Sequence, residues 1–251
     1  MSILLGKIVI KSNKKKYIKI KRNQLLILDS LLNDGGKRKK YIDRTSNIRY
    51  SEHSGNIGIK GMSIDRIIVS GLTNREDSDD NEILLPNNLV DSYDYKYFFH
   101  THPPTPLPGS RSKFGILYEF PSIADIFHFI DHYNMGNTIG SIVVAPEGYY
   151  IIYPSDFKLK KIKYDLEIED EIYEKMNEEN IKIQEQAIKK YGTDMTEDYY
   201  YTNVVPNKRY LKMFNRMVNK YLDNQIKIII KIRTKDSLTN KWILKHLYLP
   251  I

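Results

Sequence analysis

The sequence predicts an α+β protein: a mixed sheet with flanking helices, followed by a C-terminal α+β extension. Short stretches rich in Ile and Tyr, bounded by Lys, Asn and Gly, recur through the first 154 residues as strand candidates. Only two segments with helical periodicity interrupt them. Beyond residue 157 the texture changes to longer helical segments followed by two further strand-like runs. The chain therefore divides into residues 1–156 and an extension, 157–251.

Taken in order, residues 2–10 (SILLGKIVI) and 17–21 (YIKIK) read as strands. Asn23 is placed to cap a helix through LLILDSLLND that stops at Gly35-Gly36. The basic stretch 37–50 reads as a loop, IGIKG (57–61) and IDRIIVSGL (64–72) as strands, and TNREDSDDNE (73–82) as an acidic linker. KYFFHTH (96–102) is a strand candidate, and residues 103–120 hold four of the ten prolines and read as loop. SIADIFHFIDHYNMG (122–136) places Ile123, Ile126, Phe127 and Ile130 on one side of a helix closing at Gly136. IGSIVVAP (139–146) and YYIIYP (149–154) make a hairpin about Glu147-Gly148. Residues 165–191 and 207–224 read as helices, and IKIIIKI (226–232) and WILKHLYL (242–249) as strands.

Composition narrows the chemistry. There is no Cys, which excludes disulfide scaffolds, thiolate metal sites and cysteine nucleophiles. Any metal must be held by nitrogen and oxygen. No apolar run approaches the ~18 residues of a membrane span, and the N-terminal charges follow the apolar stretch, the wrong order for a secretory signal. A cytoplasmic chain with no membrane contact is the expectation. Thirty-five Ile against 3 Ala, with 20 Tyr, point to an AT-rich genome such as that of some bacteria, protists or large DNA viruses. The net charge of +8 divides into +11 over residues 1–50, −8 over 51–156 and +5 over 157–251. A basic N-terminal segment of that kind is either a solvated surface or a contact for nucleic acid or an acidic partner; no aromatic stripe interleaves with its lysines.

The segment with most chemical content is His100-Thr101-His102-Pro103, followed by Pro121-Ser122-Ile123-Ala124-Asp125. Residues i and i+2 of a strand face the same way, so His100 and His102 present two imidazoles side by side. A helix starting near Ser122 can bring a carboxylate beside them. Two nitrogens and one oxygen, with no fourth ligand, describe a catalytic zinc site that leaves one position open. Ser122-x-x-Asp125 is also a helix-capping pattern in its own right.

The string H-x-H-P…P-S-x-x-D resembles the signature of the JAB/JAMM (MPN+) zinc metalloproteases, over roughly residues 5–155. That family adds an upstream glutamate, commonly in an E-x-x-G context, and Glu52-His53-Ser54-Gly55 stands in the matching place. The resemblance implies an MPN-like fold with Zn2+ held by His100, His102 and Asp125. Glu52 would be the general base and Ser122 the hydrogen-bond donor to the tetrahedral oxyanion. It further implies hydrolysis of an isopeptide bond between ubiquitin, or a ubiquitin-like protein, and a lysine. One departure concerns spacing: 22 residues lie between His102 and Asp125, more than the family has, and the excess is the Pro-rich segment 103–120. That segment carries enough apolar side chains to form a wall of the substrate cleft or to pack on the C-terminal extension.

Two further readings come from other classes. One is a non-catalytic MPN scaffold within a larger assembly, joined through residues 157–251. The other is a nucleic-acid-associated protein similar to the RadC proteins, which share the histidine and aspartate pattern. Among other candidates, His128 and His132 sit at i and i+4 on one helix, a spacing that can chelate metal but lacks a third ligand. His53 adjoins Glu52, and His246 reads as structural. Asp77, Asp79, Asp80 and Glu82 lack the glycine and spacing of a calcium loop.

Overall fold

In the computed structural model of the chain, residues 16–37, 40–42, 48–50, 52–69, 95–103, 107–136 and 138–251 are described. The strand expected at 2–10 and the acidic segment 73–82, with Asp77, Asp79, Asp80 and Glu82, lie outside the described residues, as do Pro104 and Pro106.

The fold is α+β, organised on a six-stranded mixed sheet. Its strands are β4 (Ser54–Lys60), β5 (Ser63–Val69), β6 (Tyr95–Thr101), β7 (Gly140–Val144), β8 (Gly148–Pro154) and β9 (Ile226–Ile232), in the spatial order β5-β4-β6-β7-β8-β9. Every neighbouring pair is antiparallel except β6 and β7, whose parallel pairing closes a β-α-β crossover through helix α2 (Ile123–Met135).

The period-2 pattern of these strands divides the core. Tyr97, Phe99, Ile142, Val144, Tyr149, Ile151 and Tyr153 point to one side. There they meet Leu25, Leu28 and Leu32 of helix α1 (Arg22–Lys37), together with a ribbon of β1 (Tyr17–Lys21) and β12 (His246–Pro250). Phe98, Val143, Tyr150, Ile152, Ile226 and Ile228 point to the other side. They pack under α2, α3 (Glu169–Tyr191) and α4 (Arg209–Tyr221), where Met176, Ile183, Phe214 and Met217 are buried. The sheet and this second core layer both run across residue 157.

Three elements differ from the sequence expectation. Helix α1 begins at Arg22, with the Gln24 side chain rather than Asn23 accepting from the Lys21 amide, and it continues through Gly35-Gly36. Glycine lowers helix propensity by ~1 kcal/mol per residue but does not end a helix whose apolar face is already packed. The stretch 37–50 holds a short antiparallel pair, β2 (Lys40–Ile42) with β3 (Ile48–Tyr50). The run 242–249 is split into β11 (Trp242–Ile243), which pairs with β10 (Thr234–Lys235), and β12. Among the described residues no helix is long and apolar enough to cross a membrane.

Candidate metal centre

The C-terminal end of β6 and the N-terminus of α2 build one buried polar group. His100 shares its strand face with Phe98, toward α2, and His102 continues that alternation while its amide pairs with the Val144 carbonyl at 2.8 Å. His100, His102 and Asp125 are 0%, 8% and 3% exposed. The two Nε2 atoms face each other at 3.1 Å; Asp125 Oδ1 lies 3.1 Å from His100 Nε2, and Oδ2 lies 3.4 Å from His102 Nε2. One ligand atom from each residue falls within 4.8 Å of the others, so the three side chains form a group able to hold a metal ion. Ring nitrogens opposed at this distance need a proton or a cation between them, since two lone pairs repel.

Capping and metal binding are not rival readings of Ser122-x-x-Asp125. Ser122 Oγ accepts from the Asp125 amide at 3.0 Å, and the Ser122 amide donates to Asp125 Oδ2 at 2.6 Å. This capping box fixes the carboxylate against the imidazoles. It also leaves the exposed Ser122 hydroxyl proton free to donate outward. At the other end of the helix Gly136 is extended (φ −128°, ψ −166°), so no left-handed cap is formed there.

Glu52 stands just before β4, whose Ser54 is in register with His100. The segment is pinned to β6 twice: the Thr101 amide donates to the His53 carbonyl and the His53 amide to Thr101 Oγ1, both at 2.9 Å. Gly55 has a steric role, because a Cβ there would lie 2.0 Å from the Ile68 carbonyl oxygen and under 3 Å from the Phe99 ring. Glu52 Oε2 is buried without a hydrogen-bond partner among the described residues.

Electrostatics bind these groups together. Burial works to lower the His102 pKa, but Glu52, Asp125 and Glu119 outweigh it and raise it to about 9. Burial works to raise the Asp125 pKa, and His100 and His102 hold it well below the usual carboxylate range.

The sequence reading missed a second layer supplied by the Pro-rich segment. Glu119 is buried close enough to act on His102 and is ion-paired with Arg111 at 2.6 Å. Burial pushes its carboxyl up, Arg111 opposes this, Glu147 adds to it, and the group sits at about 7. Glu147, read as a hairpin turn residue, is fully buried; it accepts from the Glu119 amide at 2.7 Å, Tyr150 O–H at 2.7 Å and Tyr200 O–H at 3.1 Å. An acidic residue isolated between two aromatics, Tyr118-Glu119-Phe120, was the available signal for Glu119; nothing distinguished Glu147 from an ordinary turn.

The segment itself packs on the C-terminal part of the chain. Leu117, Tyr118 and Phe120 join the core of α3 and α4. Buried Gln184 of α3 accepts from the Leu117 and Tyr118 amides and donates to the Tyr118 carbonyl. Phe114 and Leu107, 77% and 55% exposed, remain on the outside. His128 and His132 lie along α2 with rings 4.3 Å apart against Phe98. Burial, with His132 and His100 nearby, lowers the His128 pKa to about 3. His246 lies in β12 beside Tyr248.

Compared with known proteins, the chain is 33% identical over 241 residues to an uncharacterized protein of Acanthamoeba polyphaga mimivirus. The alignment covers 93% of this chain, which spans 65% of the length of that relative. A relative in a large DNA virus agrees with the AT-rich composition. No protein-family model and no solved structure matches.

Proposed function

We propose that the chain is a zinc-dependent isopeptidase of the JAMM type, hydrolysing the amide bond between ubiquitin, or a ubiquitin-like modifier, and a lysine. The observation that carries this reading is the convergence of His100, His102 and Asp125 with Glu52 beside them and Ser122 at the helix start. A tetrahedral zinc with bonds of ~2.0–2.1 Å has donor–donor edges of about 3.3–3.4 Å, against the 3.1, 3.1 and 3.4 Å of this group. The donor set is nitrogen and oxygen only, as a Cys-free chain requires.

A zinc ion held there would supply Lewis acidity and lower the pKa of a water toward ~7. Glu52, with a carboxylate oxygen buried and unpaired among the described residues, takes the proton of the attacking water and returns it to the departing lysine amine. The Ser122 hydroxyl donates to the oxygen of the tetrahedral adduct. Asp125 is held in place by its capping box. The net charge of −8 across residues 51–156 favours a modifier with a basic C-terminal tail.

The test pairs metal content with hydrolysis. Purified chain should hold about one zinc, and His100→Ala should not. Glu52→Gln should keep zinc yet lose cleavage of polyubiquitin by at least ~10²-fold. Repeated isolation without transition metal and failure to take up zinc would end the reading. Wild-type turnover by Glu52→Gln would remove Glu52 from its role. If the chain loads with zinc, cleaves no modifier and binds DNA, the RadC-like reading takes its place.

A further inference from the structure

Among the described residues, His100 Nδ1, His128 Nε2 and His132 Nδ1 are buried ring nitrogens without a hydrogen-bond partner. They belong to one neighbourhood. Strand β6 turns Phe98 and His100 toward α2, and α2 carries Asp125, His128 and His132 about one turn apart along the side that faces them. The His128 ring stands edge-on to Phe98 at 5.3 Å, and the His132 ring lies 5.2 Å from Phe98. Asp125 engages Nε2 of His100. His128 lies one turn further along the helix, against Phe98 and near enough to His100 for the two rings to interact electrostatically.

A neutral imidazole that gives its Nε2 lone pair to a metal carries its proton on Nδ1, and a buried N–H requires an acceptor. Among the described residues no carboxylate or carbonyl oxygen serves His100 Nδ1. His128 offers an equally unserved nitrogen on the adjoining helix turn, with no direct hydrogen bond to His100; a buried water can join two such groups. We propose that His128 is the positioning residue of the metal centre: its Nε2 accepts, across one buried water, the hydrogen bond of His100 Nδ1–H. That bond fixes the tautomer and angle of the His100 ring. His132, its ring 4.3 Å from that of His128 and tilted by 45° to it, restrains the His128 ring from turning away. The inference rests on the metal-binding reading of His100, His102 and Asp125.

The experiment measures zinc affinity of the full chain by competition with a chromophoric chelator, for wild type, His128→Leu and His128→Gln. Loss of the acceptor in His128→Leu should weaken binding by about 10- to 100-fold, and His128→Gln, which restores an acceptor oxygen, should stay within about threefold of wild type. Equal affinity of wild type and His128→Leu overturns the proposal, as does equal weakening by Leu and Gln. Imidazole 15N–1H spectra of the zinc-loaded wild type give a check that needs no variant to fold. Protonated His100 Nδ1 with unprotonated His128 Nε2 is the expected pattern, and a protonated His128 Nε2 overturns it. A wild-type chain that takes up no zinc overturns the metal reading and this inference with it, a result distinct from the others.

Discussion

Asp125 caps its helix with the same carboxylate that the proposed metal site would use, and substitutions should separate the two roles. His102→Ala or Asp125→Ala should release the metal while the fold survives, checked by metal analysis beside circular dichroism, because the surrounding layer is held by apolar side chains. Ser122→Ala should keep the metal, cost about 1 kcal/mol of stability through loss of the cap, and slow hydrolysis by removing a donor; urea unfolding and single-turnover cleavage read the two effects. These residues were legible because strand alternation and a helix cap are local rules, visible in a few consecutive letters. Glu119 and Glu147 were not. Their burial depends on Arg111, Tyr150 and Tyr200, which reach them only after the chain has folded.

At the level of elements, the Pro-rich segment was open between a cleft wall and packing on the C-terminal region, and its second half is packed there. Gln184→Leu should leave three backbone groups of residues 117 and 118 unpaired in the core, a loss of at least about 2 kcal/mol in urea unfolding. Replacing residues 105–119 by a Gly/Ser linker strips Leu117 and Tyr118 from that core, so the expected first effect is loss of stability. Recognition is better probed at the exposed tip. Phe114→Ser should leave stability within about 0.5 kcal/mol, and unchanged kinetics across a panel of ubiquitin and ubiquitin-like substrates would give that tip no part in selecting them. The strands of the main sheet were readable from period-2 Ile and Tyr runs. The β2–β3 pair was hidden in a basic, polar stretch without an apolar face, and the continuation of α1 through two glycines reflects packing that propensity alone does not weigh.

Across the whole molecule a buried charge network joins the first helix to the end of the sheet. Asp29 of α1 accepts from Arg233 at 2.6 Å, from Arg22, and from Tyr149 O–H at 2.7 Å, while Arg233 also reaches the Ala145 and Pro146 carbonyls. Burial works to raise the Asp29 pKa, but Arg233, Arg22 and Tyr149 outweigh it and hold the carboxyl below its ordinary value. A folded pKa depressed in this way stabilises the protein fully above the unfolded value, and that contribution disappears as pH falls through the folded one. Asp29→Asn should therefore destabilise by about 3 kcal/mol at pH 7, with the gap to wild type closing below pH ~4; urea midpoints across the range check it. The pairing of β1 with β12, which sets Tyr17 against Pro250, also bears on time. The three residues of the candidate metal group lie close together along the chain, between residues 100 and 125, but the sheet and the layers packed on its two faces are gathered from most of the described residues. Such non-local closure is slow. A nascent chain holds β6 and α2 long before α3, α4 and β9 emerge to cover them, and in that interval it exposes Phe98, Phe120 and Ile152 to aggregation.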